Sequence, residues 1–323
     1  MGAATGVMFQ GQVGVIGIGN MGLALALNLH GKGWPLRVHD IDPARLALAV
    51  RAGLATAATP ADLAADCSML LVVVVDAAQT EQVLFGAQGA AAALLAGSVV
   101  LLCPTIAPAD VERLATRLAA LGLACIDAPM SGGPQRAREG RMSLMVACAD
   151  LHFDQHQPLL RALANPVFRV GQRPGDGART KLVNNLLAAV NLAAAAEALA
   201  LAEQIGLDPA RTLAVIGQSS GQSWIGTDRL PRALAGDFEP RAHTTLLAKD
   251  SALALAMAGQ AGGLRPLLGG MAAALFQDAL VRGFGGDDDA RMFSLMQAVL
   301  QRGAAASADS AAVAQGPGQA PGP

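Results

Sequence analysis

Residues 175–206 read GDGARTKLVNNLLAAVNLAAAAEALALAEQIG, and apolar side chains recur in them every three or four positions without a proline. This spacing over about thirty residues predicts one long α-helix. Its middle is almost entirely alanine and leucine, with Glu197 and Glu203 as the charges, so we expect solvent to reach little of its circumference. Lys181 and Asn185 are four residues apart near its start and therefore project from one face. A lysine that enters such an apolar helix needs a reason, although the residues alone favour a surface lysine and a helix-capping asparagine over a catalytic pair.

The sequence that follows this helix has helical periodicity interrupted by glycine and proline, with no strand alternation. Residues 175–302 are therefore predicted to form an all-helical domain built on the long helix. Its alanine-rich faces carry few charges, which favours a homodimer or homotetramer packed through these helices. Residues 303–323 show no periodicity and are expected to be a disordered tail. Further helices are predicted over residues 209–217, 228–234, 246–260, 267–281 and 289–300.

The part of the chain that precedes the long helix has a different pattern and begins with QVGVIGIGNMGLALALNLHGKG over residues 12–33. A hydrophobic strand is followed by three glycines spaced GxGxxG and then by a helical pattern. In dinucleotide-binding folds the first glycine allows a tight turn, the second lets backbone amides approach a pyrophosphate, and the third lets the helix pack on the strand. The predicted dinucleotide contacts are Gly17, Ile18, Gly19, Asn20, Met21 and Gly22.

A second predicted strand ends in Asp40, close to the offset of about 20 residues at which a carboxylate meets the ribose hydroxyls of adenosine. A carboxylate there repels a 2′-phosphate, so NAD is favoured over NADP. Arg37 and Arg45 lie nearby and weaken this preference. The alternative is a glycine-rich turn followed by a solvated aspartate.

Strands and helices continue to alternate and predict a Rossmann-type doubly wound parallel sheet, an α/β domain over residues 12–174. A disordered leader is expected over residues 1–11. Ligands bind at the carboxyl ends of such strands, so Val75, Asp76 and Thr105 are candidates for contact with the nicotinamide half of the cofactor. Thr105 could equally cap the next helix. The predicted strands are residues 69–75, 98–103 and one ending at Asp127, and the helices are residues 42–52, 76–85 and 108–121.

Ser131, Gly132 and Gly133 follow the strand that ends at Asp127. Two glycines after a serine expose successive backbone amides, and the hydroxyl adds a donor, which suits a carboxylate ligand. By itself this sequence is better interpreted as an ordinary turn.

Composition excludes several classes of function. A net charge of -2 gives no case for nucleic acid or an anionic membrane, and the longest fully apolar run, residues 69–75, is too short to cross a bilayer. The first residues carry no basic group before an apolar stretch, unlike a secretory signal. The 4 cysteines form no CxxC pair, which is typical of reduced thiols in the cytoplasm. His152 and His156 are spaced four apart without a third ligand nearby, so no metal site is predicted.

Four motifs in this order resemble the β-hydroxyacid dehydrogenase family: GVIGIGNMG, DAPMSGGPQRAREG, GDGARTKLVNN and LLAKDSALALA, at residues 14–22, 127–140, 175–185 and 246–256. The resemblance covers residues 12–302 and implies NAD(P)-dependent oxidation of a small β-hydroxy acid, of the 3-hydroxyisobutyrate, glycerate or threonate type, to a semialdehyde or keto acid. A small-molecule substrate is therefore expected, in the cytoplasm.

The resemblance also implies roles for individual residues. Lys181 would be the catalytic lysine, Asn185 its substrate-orienting neighbour, and residues 131–133 the substrate carboxylate site. Lys249 would close over the cofactor or substrate. Alcohol oxidation needs a base that takes the hydroxyl proton while hydride leaves for the nicotinamide, and an amine can serve as base or acid. Trp224, at the end of a loop predicted over residues 219–224, is either a wall of the substrate pocket or a core anchor.

Two alternative functions are open. One is an aldehyde or imine reductase on the same scaffold, and the other is a non-catalytic NAD(P)-binding protein. Relatives that reduce imines usually lack the lysine, so Lys181 disfavours that reaction. The joint presence of Lys181, Asn185 and Ser131 disfavours a protein without turnover.

Overall fold

The computed structural model describes residues 11–301 and divides into two compact units, residues 1–183 and residues 184–323. The expected leader, residues 1–11, lies outside the described residues except for Gly11. The expected tail, residues 303–323, lies outside them entirely.

The first unit is built on one sheet, whose strand order in the described residues is β3-β2-β1-β4-β5-β6-β8-β7, with β9 beside β8. From β3 to β6 every pair is parallel, which confirms the predicted doubly wound sheet. β8 runs antiparallel to β6, so this edge of the sheet is mixed. The strands are β1 Gln12–Ile16, β2 Leu36–His39, β3 Ala55–Thr56, β4 Cys67–Val72, β5 Val99–Leu102, β6 Ala124–Asp127, β7 Met130–Ser131, β8 Ser143–Ala147 and β9 Val167–Gly171.

Helices cover both faces of this sheet, which is why its central strands are continuously apolar. Along β4, Met69 and Leu71 belong to one core cluster, whereas Leu70 and Val72 belong to the cluster on the opposite face. This alternation follows from the two-residue period of a strand. The helices of the unit are α1 Asn20–Gly31, α2 Pro43–Arg51, α3 Pro60–Ala64, α4 Ala77–Phe85, α5 Pro108–Ala120, α6 Gly133–Arg138 and α7 Asp150–Leu163.

Two predictions about element ends in this unit were wrong. The strand predicted over residues 69–75 ends at Val72, because its neighbours β1 and β5 also end there, where Val72 pairs with Ile16 and Leu102. Thr105 does not cap α5, since that helix begins at Pro108 with Ala107 in the N-cap position.

The second unit is all-helical over its described residues, as predicted. Helix α8 begins in the first unit and continues into the second without a break at residue 183. The loop predicted over residues 219–224 ends one residue early, because Ser223 accepts a hydrogen bond from the Gly226 amide and Trp224 is the first residue of α10. The elements are α8 Asp176–Gln204, α9 Pro209–Ile216, α10 Trp224–Leu234, α11 Thr244–Gln260, α12 Leu267–Val281, 3-10 turns at Phe284–Gly286 and Asp289–Arg291, and α13 over residues 292–301.

Helix α8 is buried along one side rather than around most of its circumference, which corrects the sequence-based expectation. Ala189, Leu192 and Ala196 lie in the core of the second unit, whereas Leu187 and Leu201 are 59% and 51% exposed. Among the described residues, α8 is also the helix long and apolar enough to cross a membrane. This is weak evidence, because the core helix of a soluble protein passes the same test.

Candidate active site

The turn between β1 and α1 is closed by backbone packing that needs glycine at two positions. Gly17 has φ +87°, and a Cβ on it would lie 2.7 Å from the Val73 carbonyl oxygen. A Cβ on Gly22 would lie 1.9 Å from the Gly17 carbonyl oxygen. The first and third glycines of the motif therefore fix the turn and the approach of α1 to β1.

The middle glycine faces open space instead. Gly19 is the N-cap of α1, and no heavy atom lies within 4 Å of the position that its Cβ would occupy. Open space before the amino end of a helix, where amides point outward, suits an anion such as a pyrophosphate. Ile18 presents only its backbone, since its side chain is buried in the core, and Met21 packs against the same core.

Asp40 contacts this turn directly. Its Oδ2 accepts a hydrogen bond from the Ile18 amide at 2.6 Å, and its Oδ1 accepts one from the Asp42 amide at 2.9 Å. Each carboxylate oxygen has a further lone pair for a ribose hydroxyl. Arg37 and Arg45, the two arginines near Asp40, both have partners within the protein. Arg37 pairs with Asp62 and Asp66. Arg45 donates to the side-chain oxygen of Asn20 at 3.2 Å.

The candidates for the nicotinamide half lie in loops that leave the sheet beside the glycine turn. Ile16, Val72 and Leu102 are paired across β1, β4 and β5, so the loops after these strands start at one edge. Val75 is half-exposed, and its amide donates to the Gln79 side chain at 3.0 Å. Asp76 caps α4 by accepting from the Gln79 amide at 2.8 Å, and Thr105 lies in the loop after β5.

Ser131 ends β7, and the two glycines after it take left-handed backbone conformations. Gly132 has φ +130° and Gly133 has φ +76°, backbone angles that residues other than glycine rarely adopt. Nothing lies within 4 Å of the position of a Cβ on Gly133. A Cβ on Gly132 would instead lie 3.2 Å from the Arg136 side chain, so the open space is confined to Gly133. Binding of a carboxylate by this segment stays a prediction.

Lys181 lies in the second turn of α8 with 7% of its surface exposed. The chain has two other lysines, of which Lys32 is exposed and Lys249 is half-buried. The one lysine that the sequence placed in an apolar helix is thus the most buried of the three.

Asp127, which the sequence analysis treated only as a strand end, proves to be fully buried. Its Oδ2 accepts hydrogen bonds from the amides of Gly175 at 2.8 Å and Ala178 at 3.0 Å, at the start of α8. Burial raises the pKa of this carboxyl to about 6, although these amides act in the opposite direction. In the sequence, Asp127 could have been recognised as a candidate because it is a carboxylate at the end of an otherwise apolar strand.

Asn185 is held by a second aspartate that sequence reasoning missed. Its Nδ2 donates to Asp250 Oδ2 at 2.6 Å, and both side chains are buried. Lys249 Nζ lies 2.8 Å from Asp250 Oδ1, an ion pair that is not aligned as a hydrogen bond. Asn185, Asp250 and Lys249 therefore form one polar cluster within the second unit. The position of Asp250 directly after Lys249 was the signal in the sequence.

The structure also shows the surroundings of Trp224, of the two histidines spaced four apart and of the cysteines. Trp224 is 44% exposed at the start of α10, so the interpretation as a core anchor was wrong. In residues 11–301 no group of three or more His, Cys, Asp or Glu side chains is arranged to hold a metal ion. His156 instead has its Nδ1 2.9 Å from the His152 carbonyl oxygen. The four cysteines are free, and burial raises the pKa of Cys103 to about 12.

Known proteins match both halves of the chain. A family model described as the NAD binding domain of 6-phosphogluconate dehydrogenase matches residues 12–171. A second, described as NAD-binding of NADP-dependent 3-hydroxyisobutyrate dehydrogenase, matches residues 175–296. The L-threonate dehydrogenase of Cupriavidus necator is 38% identical over 287 residues, which cover 89% of this chain and 96% of that protein.

Solved structures agree with these matches. The crystal structure of 3-hydroxyisobutyrate dehydrogenase from Salmonella typhimurium has 34% identity and a TM-score of 0.82, covering 88% of this chain and 99% of that one. A structure of Psf3 in complex with NADP+ and 2-OPP has 27% identity and a TM-score of 0.82, with the same 88% and 99% coverage. The glycine turn, the long helix with its lysine and these relatives agree: the chain belongs to the β-hydroxyacid dehydrogenase family of NAD(P)-dependent oxidoreductases that act on the CH–OH group of small hydroxy acids.

Proposed function

We propose that this protein oxidises a small β-hydroxy acid of the threonate, 3-hydroxyisobutyrate or glycerate type with NAD, and that Lys181 is its general acid and base. The observation that carries the proposal is the burial of Lys181 and Asn185, at 7% and 8% exposure, one turn apart on an otherwise apolar helix. Burying a lysine is unfavourable, and a buried titratable group of this kind is a candidate for a functional site.

Each residue has a defined task in the reaction. Bound NAD supplies the acceptor for the hydride that leaves the substrate carbon. The Lys181 amine takes the hydroxyl proton as the carbonyl forms, and its ammonium returns a proton in the reverse direction. One N–H of the Asn185 amide is directed by Asp250, and the second hydrogen of the same group is the donor for the substrate oxygen. Holding that oxygen in line is worth more than the hydrogen bond itself.

The substrate carboxylate is assigned to the segment Ser131, Gly132 and Gly133. The left-handed conformations of both glycines and the open space beside Gly133 support this assignment. Lys249 is proposed to close over the cofactor or substrate, and Trp224, half-exposed at the start of α10, is proposed as a pocket wall. The similarity to L-threonate dehydrogenase and 3-hydroxyisobutyrate dehydrogenase supports a short acid with a hydroxyl on the β-carbon.

NAD is proposed in preference to NADP, because the Asp40 carboxylate lies at the glycine turn and its charge opposes a 2′-phosphate. Contact of the pyrophosphate with residues 17–22, and of the nicotinamide half with Val75, Asp76 and Thr105, belongs to the same proposal. The four free cysteines, of which Cys67, Cys103 and Cys148 are buried, support a cytoplasmic location.

The test is a screen of threonate, 3-hydroxyisobutyrate, glycerate and serine with NAD and with NADP, followed by absorbance of the reduced nicotinamide. Lys181→Ala is expected to lower kcat by about 10²- to 10⁴-fold, the usual loss for a general base. Lys32→Ala, which removes an exposed lysine of the same unit, is the matched control and should keep full activity. Full turnover by Lys181→Ala, or no turnover of any acid by the natural protein, would contradict the proposal.

A further inference from the structure

Helix α8, which carries Lys181, begins without a capping side chain of its own. Gly175 is in the N-cap position, because its carbonyl oxygen accepts the Arg179 amide at 2.9 Å. A glycine has no side chain to accept the orphan amides of the first turn. Gly175 also has φ +100°, a conformation that would strain the serine, threonine or aspartate that usually caps a helix.

Asp127 provides the missing acceptor from 48 residues earlier in the chain. Its Oδ2 binds the Ala178 amide, the third amide of the helix, which is the group that an N-cap side chain ordinarily accepts. It binds the Gly175 amide as well. A Cβ on Gly177 would lie 2.8 Å from the carboxyl carbon, so glycine at that position is what permits the approach.

Asp127 is itself fixed on the sheet. It is the last residue of β6, paired with Leu102 on one side and Ala147 on the other, and it is 0% exposed. Four residues later the chain reaches Ser131, the first residue of the proposed carboxylate site. Lys181 lies five residues into α8, about 7.5 Å along the helix axis from its start. One carboxylate thus joins the segment that would bind the substrate to the helix that would carry the proton.

We propose that Asp127 is a positioning residue, whose carboxylate caps α8 and thereby sets the position of Lys181 relative to residues 131–133. This inference rests on the proposed function, in which Lys181 exchanges the proton with the substrate. Asp127 touches neither substrate nor cofactor in this scheme and acts through the helix.

The protonation state of Asp127 gives the inference a pH signature. The pKa of about 6 means that the carboxylate is ionised at neutral pH, where its bonds to amides are charge-assisted. Protonation weakens those bonds, so kcat should fall as the pH falls through about 6. The thiols that face Asp127 have raised pKa values because of burial and stay neutral over this range. The titratable groups that interact with Asp127 are Asp176, Cys103, Cys125 and Cys148. Arg179 and Glu112 lie beside Gly175, whose amide Asp127 accepts.

The sign of the effect on stability is opposite to that on turnover. The pKa of Asp127 is higher in the folded protein than its ordinary value of 3.8, so the folded state favours the protonated form. Its contribution to stability is therefore present at low pH and is lost as the pH rises through about 6. A fall in kcat on acidification cannot then be attributed to unfolding caused by this group.

The experiment compares Asp127→Ala, Asp127→Asn and Gly177→Ala with the natural protein under conditions in which each is folded by circular dichroism. Asp208→Ala is the matched control, because Asp208 caps α9 through the amides of Ala210 and Arg211 and that helix carries no proposed site residue. We expect kcat of Asp127→Ala to fall by about 10²-fold, the cost of a misplaced reacting group, while the dissociation constant for NADH changes less than about twofold. Asp127→Asn, which keeps an uncharged acceptor, should recover part of kcat and lose the acid inflection near pH 6.

Several outcomes would overturn the inference. One is a kcat for folded Asp127→Ala within about twofold of the natural protein. Another is an acid inflection that persists in Asp127→Asn, and a third is an equal loss in Asp208→Ala. If Asp127→Ala does not fold, Gly177→Ala and Asp127→Asn decide the question by the same criteria. Lys181→Ala is measured in parallel, so that normal turnover in that variant identifies failure of the proposed function instead.

Discussion

At the scale of single residues, the Asp40 carboxylate has two tasks. It accepts hydrogen bonds from the amides of Ile18 and Asp42 and so helps to hold the glycine turn, and we propose that the same oxygens bind the ribose hydroxyls of NAD. Under this proposal, cofactor preference and the shape of the turn depend on one side chain.

Replacing Asp40 with serine is expected to move the preference from NAD towards NADP. Loss of a charged acceptor weakens NAD binding by about 1.5–3 kcal/mol, and loss of the negative charge removes the repulsion of a 2′-phosphate. The ratio of kcat/KM for NAD to that for NADP should fall by at least about 10-fold. Steady-state kinetics with both cofactors measures it, with Asp154→Ser as an exposed acidic control in the same unit. An unchanged ratio would rule out this role for Asp40.

At this scale, a polar residue can be recognised in the sequence where it departs from its local surroundings. Lys181 and Asn185 stand out in an apolar helix and both are buried, but their catalytic roles came from the family resemblance and stay a prediction. Asp127 and Asp250 were missed because their partners are 48 and 65 residues away in the chain. No local pattern records such a distant contact, although both carboxylates stand beside motifs that were recognised.

At the scale of elements, the three glycines of the turn before α1 have different surroundings. Gly17 and Gly22 meet backbone atoms of the protein, whereas Gly19 faces open space. The same substitution at different positions should therefore have different effects.

Gly19→Ala is expected to fold with a stability within about 0.5 kcal/mol of the natural protein but to bind NADH more weakly, because the methyl group enters the space of the pyrophosphate. Gly22→Ala should lower the free energy of unfolding by about 3 kcal/mol through its clash with the Gly17 carbonyl. Urea unfolding and NADH fluorescence titration measure the two effects. Gly31→Ala, at the open end of the same helix, is the control for both. Normal NADH affinity in Gly19→Ala would place the cofactor elsewhere.

Elements were predictable where their residues show a clear period, and the shortest ones were not. The helix predicted over residues 267–281 has those bounds in the structure. The two-residue strand β3 and the five-residue helix α3 are too short to show a period, and they were not predicted. The antiparallel pairing of β8 was also missed, since strand direction depends on the connection rather than on the strand's own residues.

At the scale of the whole molecule, the family and its two-part organisation followed from four motifs in one order, and the relatives confirm the family. Association between copies is a proposal, supported by apolar side chains that the second unit leaves exposed. Leu267, Leu268 and Met271 on α12 are 82%, 66% and 67% exposed. The apolar pattern of a helix does not distinguish a core face from an interface, so the sequence alone could not separate the two.

A homodimer or homotetramer packed through the helical unit should dissociate when these side chains are charged. The double substitution Leu268→Glu and Met271→Glu is expected to reduce the molar mass measured by light scattering to that of one chain, 32.6 kDa. Leu151→Glu changes a similarly exposed leucine of the first unit and should leave the mass unchanged. A natural protein that is already monomeric, or a double variant that stays associated, would refute this interface.

Helix α8 crosses the boundary between the two units, with Lys181 on one side of residue 183 and Asn185 on the other. A fragment that stops before the helix would retain the sheet but lose Lys181, the proposed proton carrier, and a fragment that starts at residue 184 would retain Asn185 without Lys181. Under the proposed roles, neither fragment carries out the reaction by itself. Chimeras between this protein and its relatives should therefore exchange helix α8 as a whole, with their junctions upstream of Gly175 or downstream of Gly206.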